Sequence, residues 1–221
     1  MTRQENKKNK AVTTAECLLD TAERLFAEHG YDGVGMRALA AEAGVNLGAA
    51  TYHYGTKEKL YMETVKRCLR PIGEERIRLL RQAEDKAKGK PIPLESIVEC
   101  MLRPQFVAML ERPHFPVLFA RTLFMPPPFM REFLAQNGGH IHEPFITALS
   151  RALPDLPIEV LRIREMFARG VMMMFLSKMP IPKRLDYCEA ILKEMVTFIA
   201  AGFRSSAEVP GFALPPMPIL G

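Results

Sequence analysis

Two short helical patterns follow each other closely between Met36 and Tyr54, in the stretch MRALAAEAGVNLGAATYHY. The small residues Ala43-Gly44-Val45 at their junction let two helices approach, and Gly44 suits the backbone of a tight turn. The pattern predicts a helix-turn-helix. Its inner contact is predicted to consist of Ala40, Ala43, Val45 and Ala50. Spacing alone leaves open an αα-hairpin that only packs against the rest of the chain.

The outer face of the second of these helices is predicted to carry Leu47, Gly48, Thr51 and Tyr52. The major groove of DNA is wide enough to admit an α-helix, so residues in these positions can meet base edges. The stretch is therefore a candidate nucleic-acid reader.

Helical spacing extends over most of the chain. A first helix is predicted from about residue 14 to 29, ended by Gly30, and a third from the N-cap Asn46 to about His53. Thr56 caps a fourth that starts at Lys57. Later helices are predicted over 94–111, 115–124, 128–153, 157–178 and 184–206. Because no run alternates with period two, the predicted fold class is all-α.

Pro71 interrupts the fourth helical pattern, which predicts a kink or a new helix start near that residue. Most other prolines lie after residue 90, at predicted helix boundaries. The helical patterns and the positions of the prolines predict four domains or segments. They are a flexible basic arm over 1–10, a helix-turn-helix domain over 11–70, a larger helical domain over 71–206 and a Pro-rich tail over 207–221.

Composition excludes several classes of protein. Apolar residues make up 48% and charged residues 25% of 221 residues, as in ordinary soluble domains. No run approaches the roughly 18 apolar residues of a membrane span, and no signal peptide is visible, so a cytoplasmic protein without a membrane partner is expected. The sequence lacks catalytic motifs and paired cysteines, and it predicts neither an enzyme nor a cofactor.

The net charge of +5 permits a nucleic-acid partner but does not require one. Residues 1–10 carry a local charge of +3, whereas residues 11–70 hold seven basic and eight acidic side chains. Any nucleic-acid surface must therefore depend on where a few basic groups are placed.

Residues 13–65 resemble the DNA-binding domain of TetR-family transcriptional regulators. The resemblance rests on three motifs, which are Ala22-x-x-Leu25-Phe26-x-x-His29-Gly30-Tyr31, Met36-Arg37-x-Leu39-Ala40-x-x-Ala43-Gly44-Val45 and Tyr52-His53-Tyr54-Gly55-Thr56-Lys57-Glu58-x-Leu60. The resemblance implies a three-helix DNA-binding domain, a variable helical domain for ligand binding and dimerisation, and a double-stranded DNA operator as partner.

In that family the third helix enters the major groove and the start of the fourth lies on the phosphate backbone. The resemblance therefore implies a phosphate contact by Lys57 and backbone contacts at the starts of the first two helices. The implied DNA-binding residues are Thr14, Arg37, Asn46, Leu47, Gly48, Thr51, Tyr52, His53 and Lys57. The chain departs from the family pattern at Gly35, Leu47, Thr51 and Tyr54, so base readout rests on the Thr51 hydroxyl and on apolar contacts with thymine methyl groups.

A helix-turn-helix that reads two half-sites works as a dimer, so a surface for a second copy is required. The last two long patterns are predicted to pair into a four-helix bundle between subunits. The predicted dimer interface consists of Met166, Gly170, Leu192, Met195 and Ile199.

A small apolar or aromatic effector is predicted from the abundance of Met and Phe, whose side chains suit adaptable ligand walls. The predicted pocket consists of Met101, Phe106, Met109, Phe119, Phe124, Phe133, Phe167 and Met174. Core packing is the alternative for each of them. Arg103 and Arg121 lie in apolar patterns, and a buried arginine needs an anionic ligand group or an internal partner such as Glu111 or Glu165.

His140, His142 and Glu143 lie close together, but a His-x-His pair points in different directions on a helix, so no metal site is predicted. The predicted function is a ligand-responsive regulator that acts as a repressor and binds a palindromic operator as a homodimer. The alternative is a helical adaptor whose helix-turn-helix no longer binds DNA.

Overall fold

The computed structural model describes residues 3–137, 139–178 and 185–206, and in these ranges the chain forms helices and no strand. The all-α prediction is confirmed. The helices are α1 (Arg3–His29), α2 (Met36–Glu42), α3 (Leu47–Tyr54), α4 (Lys57–Ala87), α5 (Leu94–Glu111), α6 (Phe115–Phe124), α7 (Pro128–Asn137), α8 (Gly139–Ala152), α9 (Ile158–Lys178) and α10 (Leu185–Arg204).

The main difference from the predicted boundaries is at the start of the chain. α1 begins at Arg3, so residues 3–10, which are predicted to form a flexible arm, are helical. These eight residues include no Gly or Pro, and six of them are Arg, Gln, Glu or Lys, which favour helix even without an apolar stripe. The predicted tail over 207–221 lies outside the described residues.

Pro71 does not start a new helix. α4 continues through it from Lys57 to Ala87, since a proline removes a single backbone donor that a long helix can spare. Within the segment predicted as one helix over 128–153, the described residues form α7 and α8, and residue 138 lies outside the described residues. The other boundaries agree with prediction to within a few residues.

The chain divides into two units. Unit 1 comprises the described parts of Met1–Arg70 and Pro113–Met130, and unit 2 comprises those of Pro71–Arg112 and Arg131–Gly221. The predicted boundary at residue 70 agrees with this division. The assignment of residues 113–130 to the second domain is wrong, because this segment, with α6, belongs to unit 1.

Buried polar and aromatic contacts explain why α6 belongs to unit 1. The hydroxyl of Tyr61, a residue with 2% of its surface exposed, lies 3.0 Å from the hydroxyl of Thr122 on α6. Thr122 donates in turn to the Leu118 carbonyl at 2.8 Å, so Tyr61 is the donor of the first bond. The Phe129 ring packs edge-on against the rings of Tyr31 and Tyr61. Sequence spacing gives no signal for such long-range contacts.

Unit 2 has a core of aliphatic and thioether side chains. α5 packs against α8, α9 and α10, and α9 also packs against α8 and α10. The side chains with almost no exposed surface include Ile97, Met101, Leu102, Leu149, Leu161, Met172 and Leu192. Among the described residues, no helix combines the length and apolar character of a membrane span.

We expect Thr122→Val to lower the free energy of unfolding of unit 1 by about 1–3 kcal/mol, because it leaves the buried Tyr61 hydroxyl without its acceptor. Urea unfolding followed by circular dichroism measures the effect. The double variant Tyr61→Phe with Thr122→Val removes both polar groups and should recover part of the loss. Equal stability of wild type and Thr122→Val would show that this hydrogen bond does not contribute.

Candidate nucleic-acid interface

The turn between α2 and α3 is a Schellman motif. Gly44 adopts a φ of +67°, which side-chain-bearing residues adopt at a cost. Its N–H donates to the Ala41 carbonyl at 3.1 Å, and the N–H of Val45 donates to the Ala40 carbonyl at 2.9 Å. The last carbonyls of α2 are thereby satisfied, and α3 leaves the turn in a fixed direction.

A small apolar core holds α3 against α1 and α2. Leu18, Ala40, Ala43 and Ala50 are buried together, and the partly buried residues packed against them are Met36, Val45 and Tyr54. The inner contact predicted from spacing is therefore confirmed. The Tyr54 hydroxyl donates to the Ala15 carbonyl of α1 at 2.9 Å, and burial raises the pKa of this phenol. Tyr54 thus fixes the end of α3 to α1.

The outward face of α3 carries the side chains that the sequence predicts there. Leu47, Gly48, Thr51 and Tyr52 are exposed, and Tyr52 keeps 85% of its surface accessible. Asn46 accepts a hydrogen bond from the Ala49 N–H at 2.7 Å through Oδ1, so it caps the helix as predicted. His53 is half-buried and its ring packs edge-on against that of Tyr52. α3 therefore presents hydroxyl and aromatic groups to its surroundings.

A short junction places the start of α4 next to the end of α3. Gly55 closes α3 with a φ of +72°, and the Thr56 hydroxyl accepts from the Lys59 N–H at 3.3 Å at the start of α4. Only these two residues separate the helices. Lys57, the first residue of α4, therefore lies within one turn of the last residue of α3.

Tyr31 holds Lys57 in place. The Lys57 ammonium donates to the Tyr31 carbonyl at 3.2 Å and lies 4.0 Å from the centre of its ring. The Tyr31 hydroxyl donates to Glu58 at 2.9 Å, and burial together with this bond raises the pKa of Tyr31. Backbone and side-chain hydrogen bonds lower the pKa of Glu58. Since an ammonium has three donors, Lys57 retains N–H groups for an anion.

Ion pairs within unit 1 account for most of its acidic side chains. Glu42 accepts from Arg24 at 2.6 Å, and Arg67 lies 2.7 Å from Asp20 and 3.0 Å from Glu23. Three basic residues at the starts of α2 and α4, namely Arg37, Lys57 and Lys59, lie outside the ion pairs found in the described part of the unit. The weak net charge of residues 11–70 therefore conceals a local excess of basic groups at two helix N-termini.

Comparison with known proteins agrees with this geometry. The family model described as "Bacterial regulatory proteins, tetR family" matches residues 18–64, and the model "Tetracyclin repressor-like, C-terminal domain" matches residues 99–202. The two matches lie in the order of the family and together cover more than half of the chain. The chain belongs to the TetR family.

Similar curated proteins are regulators of this family. AcnR of Corynebacterium efficiens, an HTH-type transcriptional repressor, is 43% identical over 54 residues, which are 24% of this chain and 29% of AcnR. BetI of Agrobacterium fabrum, an HTH-type transcriptional regulator, is 31% identical over 94 residues, which are 42% of this chain and 46% of BetI. The chain thus matches less than half of the length of either relative.

Solved structures share the fold over most of the chain. HlyIIR, a hemolysin II transcriptional regulator, superimposes with a TM-score of 0.59 at 18% identity and covers 89% of this chain and 99% of its own. A putative tetR family regulator from Shewanella sp. PV-4 gives a TM-score of 0.61 at 17% identity, over 86% of this chain and 95% of its own. Membership in a family of regulatory proteins agrees with the prediction that the chain is not an enzyme.

The residues predicted to line an effector pocket are divided between the two units and differ in burial. Phe119 and Phe124 belong to unit 1, and Phe124 keeps 66% of its surface exposed. Met101, Phe106 and Met109 are buried in unit 2. Phe133 is half-buried, whereas Phe167 and Met174 are 59% exposed on α9. Periodicity identifies these side chains as apolar but does not separate core from lining.

The predicted dimer residues also need correction. Leu192, Met195 and Ile199 are buried within unit 2, so they are core residues of the chain itself. Met166 is half-buried and Gly170 is exposed. Among the described side chains of α9 and α10, the large apolar ones that are exposed are Ile158, Phe167, Val171, Met174, Tyr187 and Phe198. An open groove of about 480 Å³ runs along the two helices beside Phe167, Val171, Phe198 and Gly202.

The arginines singled out in the sequence have partners other than those expected. Arg103 pairs with Glu99 and Glu189, each at 2.7 Å, and these hydrogen bonds raise its pKa. Arg121 donates to the Glu28 carbonyl at 3.2 Å. The buried arginine is Arg76, which sequence reasoning missed.

The side chain of His140 lies outside the described residues. His142 lies 3.0 Å from Glu165, and no group of potential metal ligands occurs among the described residues.

We expect Gly44→Ala to destabilise unit 1 by about 1–2 kcal/mol, because alanine at a φ of +67° is strained. The control Gly35→Ser adds a side chain at a φ of −102° with no atom within 4 Å of its Cβ, where serine can also cap α2. Thermal unfolding should show a loss for the first variant and none for the second. Equal melting temperatures of Gly44→Ala and wild type would refute the role assigned to the turn.

Proposed function

We propose that this chain is a DNA-binding transcriptional regulator that acts as a repressor, binds a palindromic operator as a homodimer and is released by a small molecule. The observation that carries the proposal is the outward face of α3, with exposed Thr51 and Tyr52, beside basic groups at the starts of α2 and α4. Two relatives support repression rather than activation. They are the repressor AcnR and the negative regulator IcaR of Staphylococcus epidermidis, which is 33% identical over 51 residues.

The dimensions of α3 suit the major groove. Its eight residues extend about 12 Å, close to the roughly 12 Å width of that groove. In the proposed complex Thr51 and Tyr52 reach base edges by hydrogen bonds, while Leu47 contacts thymine methyl groups. Gly48, exposed in the first turn of α3, lets the backbone approach the groove wall closely.

Phosphate contacts orient α3 in the proposed complex. Lys57 lies at the N-terminus of α4, where its charge and the helix dipole both favour an anion. Arg37 is exposed in the first turn of α2 and is proposed to contact the other side of the groove. Thr14, Asn46 and His53 are proposed as flanking contacts. Because Tyr31 already holds the Lys57 ammonium, the proposed phosphate contact costs this side chain little further conformational entropy.

The exposed apolar face of α9 and α10 is the proposed dimer interface. Phe167, Val171 and Met174 are spaced as one stripe of α9, and Phe198 of α10 keeps 64% of its surface exposed. A contiguous apolar stripe of this kind is unfavourable in water, and a twofold-related copy covers it with the same stripe. Gly170 and Gly202, beside which a Cβ atom would meet nothing, allow close packing there.

The effector is proposed to bind in unit 2 and to favour a conformation with lower operator affinity. Such release requires that the effector binds the two conformations with different affinity. The thioether-rich core of the unit, with Met101, Met172 and Met173 buried, supports a site that can adapt to a ligand.

We expect Lys57→Ala to weaken binding to all DNA sequences and to reduce the slope of log affinity against log salt by about 0.9, because one phosphate contact is lost. Thr51→Val should instead change base preference, by up to about 1–3 kcal/mol at the affected base pair. DNA sequences selected from a random pool, followed by fluorescence anisotropy over a salt series, provide both measurements.

Lys66→Ala is the matched control, since Lys66 is a basic residue of the same helix that pairs with Glu63 at 2.8 Å. It should bind DNA as the wild type does. Unchanged affinity of Lys57→Ala would refute the proposed docking. Absence of any salt-sensitive, sequence-selective binding by the wild type would favour the adaptor alternative.

We expect Phe198→Glu to convert the dimer into a 25.0 kDa monomer, because the twofold axis places two carboxylates in an apolar contact. Light scattering after size-exclusion chromatography measures the mass. Phe124→Glu, at a comparably exposed phenylalanine of unit 1, is the control and should remain dimeric. A dimeric Phe198→Glu would refute this choice of interface.

A further inference from the structure

Unit 2 contains a buried arginine without an acidic hydrogen-bond partner among the described residues. Arg76 of α4 has 7% of its surface exposed. Its Nη2 donates to the amide oxygen of Gln105 on α5 at 2.6 Å, which is a neutral acceptor. Its Nε is buried and has no hydrogen-bond partner.

The carboxylate that acts on the charge of Arg76 is that of Glu165, and it pairs with other side chains. Glu165 of α9 is 3% exposed, and its Oε1 lies 3.0 Å from Nδ1 of His142. Its Oε2 lies 3.0 Å from Nη2 of Arg169. Both oxygens of Glu165 therefore have partners other than Arg76.

His142 also contacts a second arginine of unit 2, since Nη1 of Arg169 lies 3.3 Å from its Nε2.

Arg76 consequently carries a buried positive charge that is hydrogen-bonded to no carboxylate of the described residues. Burial lowers the pKa of Arg76 to about 10, so its side chain stays protonated at neutral pH. An unpaired charge in a protein interior is strongly unfavourable, and an anion would remove the imbalance.

We propose that Arg76, Gln105, His142, Glu165 and Arg169, hereafter the Arg76 cluster, form the binding site for the carboxylate of a small organic effector. The proposal rests on the ligand response proposed above and specifies its chemistry. The Nε–H of Arg76 donates to one carboxylate oxygen, and the negative charge of the ligand balances the positive charge of Arg76.

Two features favour an organic monoanion. The single positive charge of Arg76 matches a carboxylate, whereas a phosphate dianion would leave a negative charge buried. The amide nitrogen of Gln105 contacts Sδ of the buried Met173 at 3.2 Å, so the polar cluster borders a thioether that suits an apolar ligand body. At its rim, the side chains of His142 and Arg169 are 15% and 26% exposed, which gives a path from solvent.

Thermal unfolding of the full chain with octanoate and benzoate, each compared with its uncharged amide, tests the proposal. We expect the carboxylates near saturation to raise the melting temperature by roughly 5 °C or more, and the amides and inorganic phosphate to have little effect. No difference between carboxylate and amide would overturn the proposal. Stabilisation by phosphate equal to that by octanoate would overturn the assignment to an organic monoanion.

Two variants locate the site. Arg76→Met should weaken carboxylate binding, measured by titration calorimetry, by at least about thirtyfold, because it removes the buried donor and its charge. Arg78→Met is the matched control, since Arg78 is exposed on the same helix and pairs with Glu75. It should bind carboxylates as the wild type does. Equal binding by Arg76→Met and wild type would overturn the proposal.

Gln105→Glu keeps the proposal testable if Arg76→Met does not fold. A carboxylate at position 105 pairs with Arg76 from within the chain, so this variant should melt at a higher temperature without ligand and lose its response to octanoate. An unchanged octanoate response in this variant would overturn the proposal.

Operator binding measured on the same samples separates the two levels of inference. DNA binding without a carboxylate response would refute the Arg76 cluster as a ligand site and leave the regulator intact. A carboxylate response that depends on Arg76, in a protein that binds no DNA, would support the Arg76 cluster as a ligand site and refute the proposed regulator.

Discussion

The positive φ of Gly44 is the constraint on which the candidate interface depends. It allows α2 to end with its carbonyls satisfied and α3 to begin two residues later on Asn46. Four small or aliphatic side chains then suffice for a core, since the two helices meet closely. With a core this small, the aromatic Tyr54 and its bond to Ala15 are needed to fix the far end of α3.

The basic groups that unit 1 presents to solvent are determined by which of its side chains form ion pairs, and not by its net charge. Arg24 and Arg67 are paired with carboxylates, whereas Arg37, Lys57 and Lys59 are outside the ion pairs found in the described part of the unit and lie at helix N-termini. Tyr31 orders Lys57 through its carbonyl and ring, and its hydroxyl donates to the neighbouring Glu58. A chain that is almost neutral over residues 11–70 can in this way present a basic face to a polyanion.

Local patterns predicted local structure well. The caps Asn46 and Thr56, the turn at Gly44 and the outward residues of α3 depend on neighbours within a few positions. The two stripes of α10 could not be told apart, because Leu192 and Phe198 are both apolar at helical spacing although one is buried and the other exposed. Arg76 lies among charged residues and looks like part of a solvent face. Only its spacing of four from the buried Ile72 and Leu80 indicated otherwise.

The inclusion of residues 113–130 in unit 1 affects how the protein is made. Tyr61 and Thr122, whose side chains meet in the interior of this unit, are separated by 61 positions in the sequence. A ribosome that has released only the first 70 residues has released a unit without α6, with the apolar surface around Phe26 and Tyr61 uncovered. Unit 1 can therefore complete its folding only after the intervening part of unit 2, residues 71–112, has been synthesised.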